Sequence, residues 1–90
     1  MIKPDQITKC IEVARRYGVK KLVLFGSAAE DPENARDIDL ICEGVEGSDF
    51  FRMGAEMENE TLTQIDIVPV PPLTHFAQYN LARGKVLHET

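Results

Sequence analysis

Apolar residues recur at two different spacings along this chain, and the spacing predicts which segments are helices and which are strands. Ile7, Ile11 and Ala14 follow one another at intervals of three and four residues, which is typical of a helix with one buried face. Gly18 is expected to end this helix. A later segment shows the same spacing, with Phe50, Met53 and Met57 after a Gly-Ser-Asp start. Thr74 is expected to cap a last helix that contains Phe76, Tyr79, Asn80 and Leu81.

Short apolar runs between the helices predict strands. In chain order these strands are Lys20–Phe25, Arg36–Cys42, Thr63–Val68 and Lys85–His88. The prolines from residue 69 onward are expected to end pairing of the third strand, because proline lacks the N–H donor that a central strand needs. The order of elements predicts an α/β (α+β) fold, a small mixed β-sheet with helices packed on one face.

The size and composition of the chain limit its function. Its 90 residues, 43% of them hydrophobic and 28% charged, predict a single soluble domain spanning residues 1–90. A net charge of −5 would repel a polyanion, so we expect no nucleic acid polymer as partner. No apolar stretch approaches the roughly 20 residues that span a bilayer, and the N-terminus lacks a signal-peptide pattern. We therefore expect a cytoplasmic protein that does not contact a membrane; a homo-oligomer remains open.

Three aspartates stand inside apolar, strand-like runs, where a buried strand would normally carry Val or Leu. They are Asp37 and Asp39 in one run and Asp66 in the next. Burying a carboxylate is costly, so its presence in such a position indicates a site. Asp37 and Asp39 share one face of their strand because residues two apart point the same way. If Asp66 lies on a neighbouring strand, the three carboxylates could bind hard divalent cations.

Gly26 and Ser27 follow the first strand directly. Glycine permits a tight turn, and the free backbone N–H groups of such a turn can approach a phosphate closely. The turn and the three aspartates together indicate a nucleotide site more specifically than an isolated Asp-x-Asp pair would.

The run from Gly26-Ser27 through Asp37-Ile38-Asp39 to Asp66 resembles the nucleotidyltransferase superfamily related to DNA polymerase beta. The short chain is similar to the minimal nucleotidyltransferases of that superfamily, which include antitoxins. The resemblance extends over most of the chain and implies the nucleotidyltransferase fold.

The resemblance also implies an activity, a cofactor and roles for single residues. Asp37, Asp39 and Asp66 would be the catalytic carboxylates and the ligands of two Mg²⁺ ions. Gly26 and Ser27 would bind the phosphates of ATP or another nucleoside triphosphate. The reaction would transfer a nucleoside monophosphate, most simply AMP, to a hydroxyl on a small helical toxin-type partner.

The segment after Gly26-Ser27 departs from the family pattern. A basic residue and a glycine are usual there, whereas this chain has two alanines and then the acids Glu30 and Asp31. Arg36, directly before Asp37, is a candidate nucleotide-binding cation, but it could instead form an ion pair with the loop acids.

Two alternatives to the antitoxin enzyme remain. The acidic loop favours a binding module that neutralises a helical partner by complex formation without catalysis. Nucleotide transfer to a small molecule, such as an aminoglycoside, is the other alternative, and it ranks lower because the chain has no separate acceptor domain. The sequence does not identify the acceptor, the preferred base or the oligomeric state.

Overall fold

The computed structural model describes all 90 residues as four helices and four strands. In chain order the elements are α1 (Pro4–Arg16), β1 (Lys21–Phe25), α2 (Ser27–Glu30), β2 (Ile38–Glu43), α3 (Ser48–Thr61), β3 (Ile65–Val70), α4 (His75–Arg83) and β4 (Lys85–Glu89). The strands form one mixed sheet in the order β3-β2-β1-β4. The β2/β3 pair is parallel, and β1 is antiparallel to both of its neighbours. None of the helices combines the length and apolar character that crossing a membrane requires.

One face of the sheet carries the main core. Leu22 and Leu24 of β1 point to this face and pack with the buried residues of α1 and α3, among them Val13, Met53 and Met57. Met53 and Met57 are positions that helical spacing predicts for α3. In α1 the predicted Ala14 is buried, whereas Ile7 and Ile11 are only partly buried and Val13, beside that stripe, is fully buried. The two cysteines, Cys10 and Cys42, are fully buried in the same core as free thiols.

The fourth helix differs in one respect from the prediction that all helices pack on one face. Along β1, Val23 and Phe25 point away from the main core and form a second, smaller cluster with Ala77 of α4 and with Leu81 beside it. Helix α4 therefore covers part of the opposite face. Tyr79, one of the apolar residues expected in this helix, is not packed against the sheet: it is 57% exposed and lies under the Arg83 guanidinium. The small Ala77 side chain lets the helix approach the sheet closely.

Strand β3 extends further than its prolines predict. Pro69 aligns with Cys42, and Val70 with Glu43, so pairing with β2 continues through the first proline. Because β3 lies at the edge of the sheet, one side of its backbone has no strand to pair with. A proline is tolerated at such an edge, whereas it would interrupt a central strand.

Contacts between α1 and α3 hold the helical layer together. Gln6 donates through Nε2 to the carbonyl of Thr61 at 2.9 Å, and the Tyr17 hydroxyl donates to Oε1 of Glu56 at 2.9 Å. Helix α3 also reaches β3, because Glu58 Oε2 accepts a hydrogen bond from the Ile65 backbone at 3.1 Å. The end of α3 thus determines where β3 begins, one residue before Asp66.

Candidate active site

The predicted site residues gather at one edge of the sheet, which we call the carboxylate edge. It comprises Asp37, Asp39 and Asp66 together with Gly26 and Ser27. Asp39 is the register partner of Phe25 on one side and of Asp66 on the other. The β1–α2 turn, the start of β2 and the start of β3 therefore lie side by side. Asp66 thus lies on the strand next to Asp39, which was the condition for a shared carboxylate site.

Backbone contacts hold the starts of β2 and β3 together. The Ile38 N–H donates to the carbonyl of Gln64 at 3.0 Å, just before the two strands pair. The same Gln64 extends its side-chain amide toward Asp66, with Nε2 3.4 Å and 3.5 Å from the two carboxylate oxygens. These distances exceed those of ordinary N–H···O hydrogen bonds, and the amide is neutral, so Gln64 leaves the charge of Asp66 uncompensated.

Gly26 brings the β1–α2 turn into direct contact with Asp39. Its backbone has a φ of +71°, a conformation that side chains with a Cβ rarely adopt. A Cβ at this position would stand 2.7 Å from Oδ2 of Asp39. Both the backbone conformation and the adjacent carboxylate therefore favour glycine at this position.

The carboxylate edge concentrates negative charge. Burial raises the pKa of the half-buried Asp39 carboxyl, and the charges of Asp66 and Asp37 and a hydrogen bond with Asp66 raise this pKa further. The salt bridges of the structure involve none of the three aspartates. The cluster therefore has unbalanced negative charge that a bound cation would offset.

The oxygens of this edge suit a hard cation such as Mg²⁺ in chemical type. The structure nevertheless contains no group of three or more His, Cys, Asp or Glu side chains arranged to hold a metal ion. Asp39 and Asp66 are adjacent, and Asp37 is near enough to influence the pKa of Asp39, but the three side chains do not converge on one point. Their role as metal ligands stays a prediction.

Ser27 and Arg36 are both exposed. Ser27 is the first residue of α2, where backbone N–H groups have no partner within the helix. The alternative of an ion pair between Arg36 and the loop acids is not what the structure shows, because Arg36 forms no salt bridge. Asp31 instead accepts a hydrogen bond from Nδ2 of Asn34 at 2.8 Å. The Arg36 side chain is thus free to meet a ligand.

Phe76 lies beside the site, although the sequence did not indicate it as a site residue. Its ring packs edge to face against Phe25, with the ring centroids 5.6 Å apart, yet the residue is 56% exposed. Phe25 is the register partner of Asp39, so this exposed ring borders the carboxylate edge. The available signal was an aromatic residue two positions after the helix cap Thr74, but the packing of α4 could not be anticipated.

Comparisons with known proteins agree with this fold. No family model matches the chain. The chain is 29% identical over 85 residues to a protein of Methanocaldococcus jannaschii named as a putative protein adenylyltransferase, covering 90% of this chain and 86% of that protein. A solved toxin-antitoxin complex with AMP-PNP superposes with a TM-score of 0.78 at 19% identity, over 93% of this chain and 73% of that chain. A solved MntA-HepT toxin-antitoxin complex gives a TM-score of 0.75 at 17% identity, over 98% and 74% of the respective chains.

The fold and the sequence likeness agree with the interpretation drawn from the motifs. At these identities the structural matches establish the fold, while the sequence match extends along nearly the whole chain. The chain has the nucleotidyltransferase fold, and its predicted resemblance to the minimal nucleotidyltransferases is confirmed.

Proposed function

We propose that this chain is a metal-dependent nucleotidyltransferase that transfers a nucleoside monophosphate, most simply AMP from ATP, to a hydroxyl on a protein partner. The observation that carries the proposal is the alignment of Asp39 with Asp66 on adjacent strands, directly against the Gly26 turn. The likeness of the chain to a protein named as a putative protein adenylyltransferase supports the choice of AMP.

The proposal gives each residue of the carboxylate edge a role. Asp37, Asp39 and Asp66 would hold two Mg²⁺ ions, whose bound positive charge would neutralise the phosphates and lower the pKa of the attacking hydroxyl. Gly26 and Ser27 would bind phosphate through the turn at the start of α2. Arg36 would bring a positive charge to the same phosphates.

The chemistry is an in-line displacement at the α-phosphorus. The acceptor oxygen forms a bond to this phosphorus while the bond to the pyrophosphate oxygen breaks, and the hydroxyl proton passes to a base or to water. Asp66 is the exposed aspartate of the Asp39/Asp66 pair, so an acceptor hydroxyl can approach it from solvent. We assign Asp66 as metal ligand or as acceptor of that proton.

We propose that the acceptor belongs to a small helical toxin-type protein, which this chain neutralises as an antitoxin. The structural neighbours are toxin-antitoxin complexes, which motivates this choice. The chain also exposes large apolar side chains suited to a protein contact, with Phe51 75% and Leu73 56% exposed.

A second function has its own supporting observation. Glu30 and Asp31 are both exposed at the end of the short helix that begins at Ser27, where their charges would oppose a triphosphate. A non-catalytic module would neutralise its partner by binding alone. The two functions differ in whether Asp39 is needed for neutralisation after the complex has formed.

The first test is Mg²⁺-dependent binding of ATP, measured by calorimetry on the wild type and on the double variant Asp37→Asn, Asp39→Asn. The proposed function predicts binding that the double variant loses. A Glu46→Gln variant is the control, since Glu46 is exposed and makes no salt bridge. No binding by the wild type would contradict the proposal for the isolated chain.

The second test follows label from α-³²P-ATP onto a co-purified partner protein. We expect labelling by the wild type and a loss of at least about 100-fold in Asp39→Asn, the scale on which removal of one electrostatic catalytic group acts. If Asp39→Asn still neutralises the partner in full, the binding-module function replaces the enzyme.

A further inference from the structure

Asp39 and Asp66 lie on the face of the sheet that helix α4 covers in part. Asp39 is aligned with Phe25 on β1 and with Asp66 on β3, and aligned residues of neighbouring strands point to the same face. Phe25 also belongs to the cluster that packs against Ala77 of α4. A ligand bound to the two aspartates on this face therefore has α4 as a neighbour.

Phe76 is the residue of α4 that connects the helix to the aspartates. Its ring packs edge to face against the ring of Phe25, with the centroids 5.6 Å apart. Phe25 and Asp39 are partners in an antiparallel pair, in which the Cα atoms lie about 5 Å apart. The Phe76 ring is therefore on the order of 10 Å from the backbone of Asp39. A metal ion, an α-phosphate and a ribose in succession cover a distance of this order.

The Phe76 ring is open to solvent and has no cation over it. The residue is 56% exposed. Tyr79, the other exposed ring of α4, is covered by the guanidinium of Arg83, which lies 4.5 Å from the ring centroid. Phe50 and Phe51 belong to α3, which packs on the opposite face of the sheet. Phe76 is thus the open aromatic ring on the face that carries the aspartates.

We propose that Phe76 stacks on the base of the bound nucleotide. This inference rests on the proposed function, which sets the α-phosphate beside Asp39 and Asp66 and the phosphates beyond it at Gly26 and Ser27. The ribose and the base leave the α-phosphate on its other side and extend over the face that α4 borders. An aromatic side chain accepts a base there because the base presents a π face to it.

An exposed phenylalanine can serve a protein contact instead. Leu73, three residues before Phe76, is also 56% exposed, and the two side chains would suit an apolar contact with the partner protein. If Phe76 served only that contact, its removal would leave nucleotide binding unchanged. Nucleotide binding by the chain without a partner therefore separates the two roles.

The test compares Mg²⁺-AMP-PNP with Mg²⁺-tripolyphosphate by calorimetry on four proteins: wild type, Phe76→Ala, Phe76→Tyr and Phe51→Ala. Phe51 is the matched control, because it is an exposed phenylalanine of α3. We expect Phe76→Ala to weaken AMP-PNP binding about 10-fold, the scale of one base stacked on an aromatic ring. Phe76→Tyr keeps a ring and should bind AMP-PNP as the wild type does, and so should Phe51→Ala.

Tripolyphosphate has no base, so its affinity should be the same for Phe76→Ala and the wild type. An equal loss for tripolyphosphate and AMP-PNP would mean that Phe76 acts on the phosphate site, which would overturn stacking. Phe76→Leu keeps an apolar contact with Phe25 but has no ring, and we expect it to lose AMP-PNP affinity. Wild-type affinity in this leucine variant would likewise contradict stacking.

The same measurements distinguish failure of this inference from failure of the proposed function. Unchanged AMP-PNP binding in Phe76→Ala would overturn the role of Phe76 and leave the proposed function intact. If the wild type does not bind Mg²⁺-AMP-PNP, the proposed function and this inference fail together.

Discussion

The backbone of Gly26 lies so close to Asp39 that a single added methyl group would reach the carboxylate. The Cβ of an alanine at Gly26 would stand 2.7 Å from Oδ2 of Asp39, at a φ of +71°. The turn after β1 and the aspartate of β2 thus depend on each other. Asp39 can keep its position only while residue 26 has no side chain.

We predict that Gly26→Ala damages the site more than the fold. The positive φ should cost about 1–2 kcal/mol of stability, while the carboxylate of Asp39 can rotate away from the new methyl. Gly18→Ala is the matched control, since Gly18 has a φ of +72° and no atom within 4 Å of an added Cβ. Both variants should lose similar free energy of unfolding in urea. Only Gly26→Ala should lose Mg²⁺-dependent nucleotide binding, and equal binding by both variants would contradict this.

The raised pKa of Asp39 predicts a pH dependence of stability. Burial is the largest cause of the shift, followed by the charges of Asp66 and Asp37. Between the ordinary carboxyl pKa and the raised one, the folded chain binds more protons than the unfolded chain, so stability falls as the pH rises through this window. Asp39→Asn removes the burial cost of the charge, and we expect it to be more stable than the wild type at neutral pH without Mg²⁺.

Urea unfolding over a series of pH values measures this difference. The advantage of Asp39→Asn should shrink as the pH falls and disappear below the ordinary carboxyl pKa. Glu46→Gln removes an exposed carboxylate and should show no such pattern. Titration of Asp39 by carboxyl-carbon NMR should give a lower pKa in Asp66→Asn, because a neighbouring charge is lost. An unchanged pKa there would mean that Asp66 does not interact with Asp39.

Gly84→Ala should destabilise the protein because of its contacts and not because of its backbone conformation. Two of the atoms that an added Cβ would meet are backbone carbonyl oxygens, those of Leu24 and Asn80, and they cannot rotate away. We expect a loss of about 1–3 kcal/mol and a fall in Tm of roughly 5–20 °C. Gly54→Ala is the control, since its Cβ would meet only Cδ1 of Ile67 at 3.6 Å. Because Gly54 lies within helix α3, its replacement by alanine should stabilise the protein by about 0.5–1 kcal/mol.

Leu62→Gly should make the protein more stable, although it removes an apolar residue. Leu62 ends helix α3 in the left-handed conformation, with a φ of 56°, and it is 89% exposed. Glycine adopts this conformation without the free-energy cost of roughly 1–2 kcal/mol that other residues incur. We expect a gain of about 0.5–1 kcal/mol by thermal and urea unfolding. The control Leu73→Gly, at an exposed leucine without a positive φ, should bring no gain.

The carboxylate edge could be predicted from sequence because its residues break a local rule. Charged side chains within apolar, strand-like runs identify Asp39 and Asp66. The period of two predicted a shared strand face for Asp37 and Asp39, but β2 begins at Ile38, so Asp37 lies just before the strand. The same apolar runs predict that the strands exist. Strand ends were less certain, because edge position decides whether a residue such as Pro69 can remain paired, and sequence does not give strand order.

The packing of α4 could not be predicted, since its large apolar residues are not the buried ones. Phe76 and Tyr79 are exposed, whereas Ala77 is fully buried. Hydrophobicity predicts that the large aromatic rings are buried. The helix lies so close to the sheet, however, that only a small residue fits between them. The pairing partner of the last strand could not be predicted for a different reason. Its pairing with β1 joins distant parts of the chain, and no local pattern reports such a register.

The pairing of β1 with β4 also has a consequence for synthesis of the protein. Until β4 emerges from the ribosome, the β1 edge that it will occupy has open hydrogen-bonding groups beside apolar residues such as Val23 and Leu24. A nascent chain in this state can pair with another copy of itself. We therefore expect a chain that stops at residue 84 to aggregate during translation, measured as its loss from the supernatant after centrifugation, while the chain of 90 residues stays in solution.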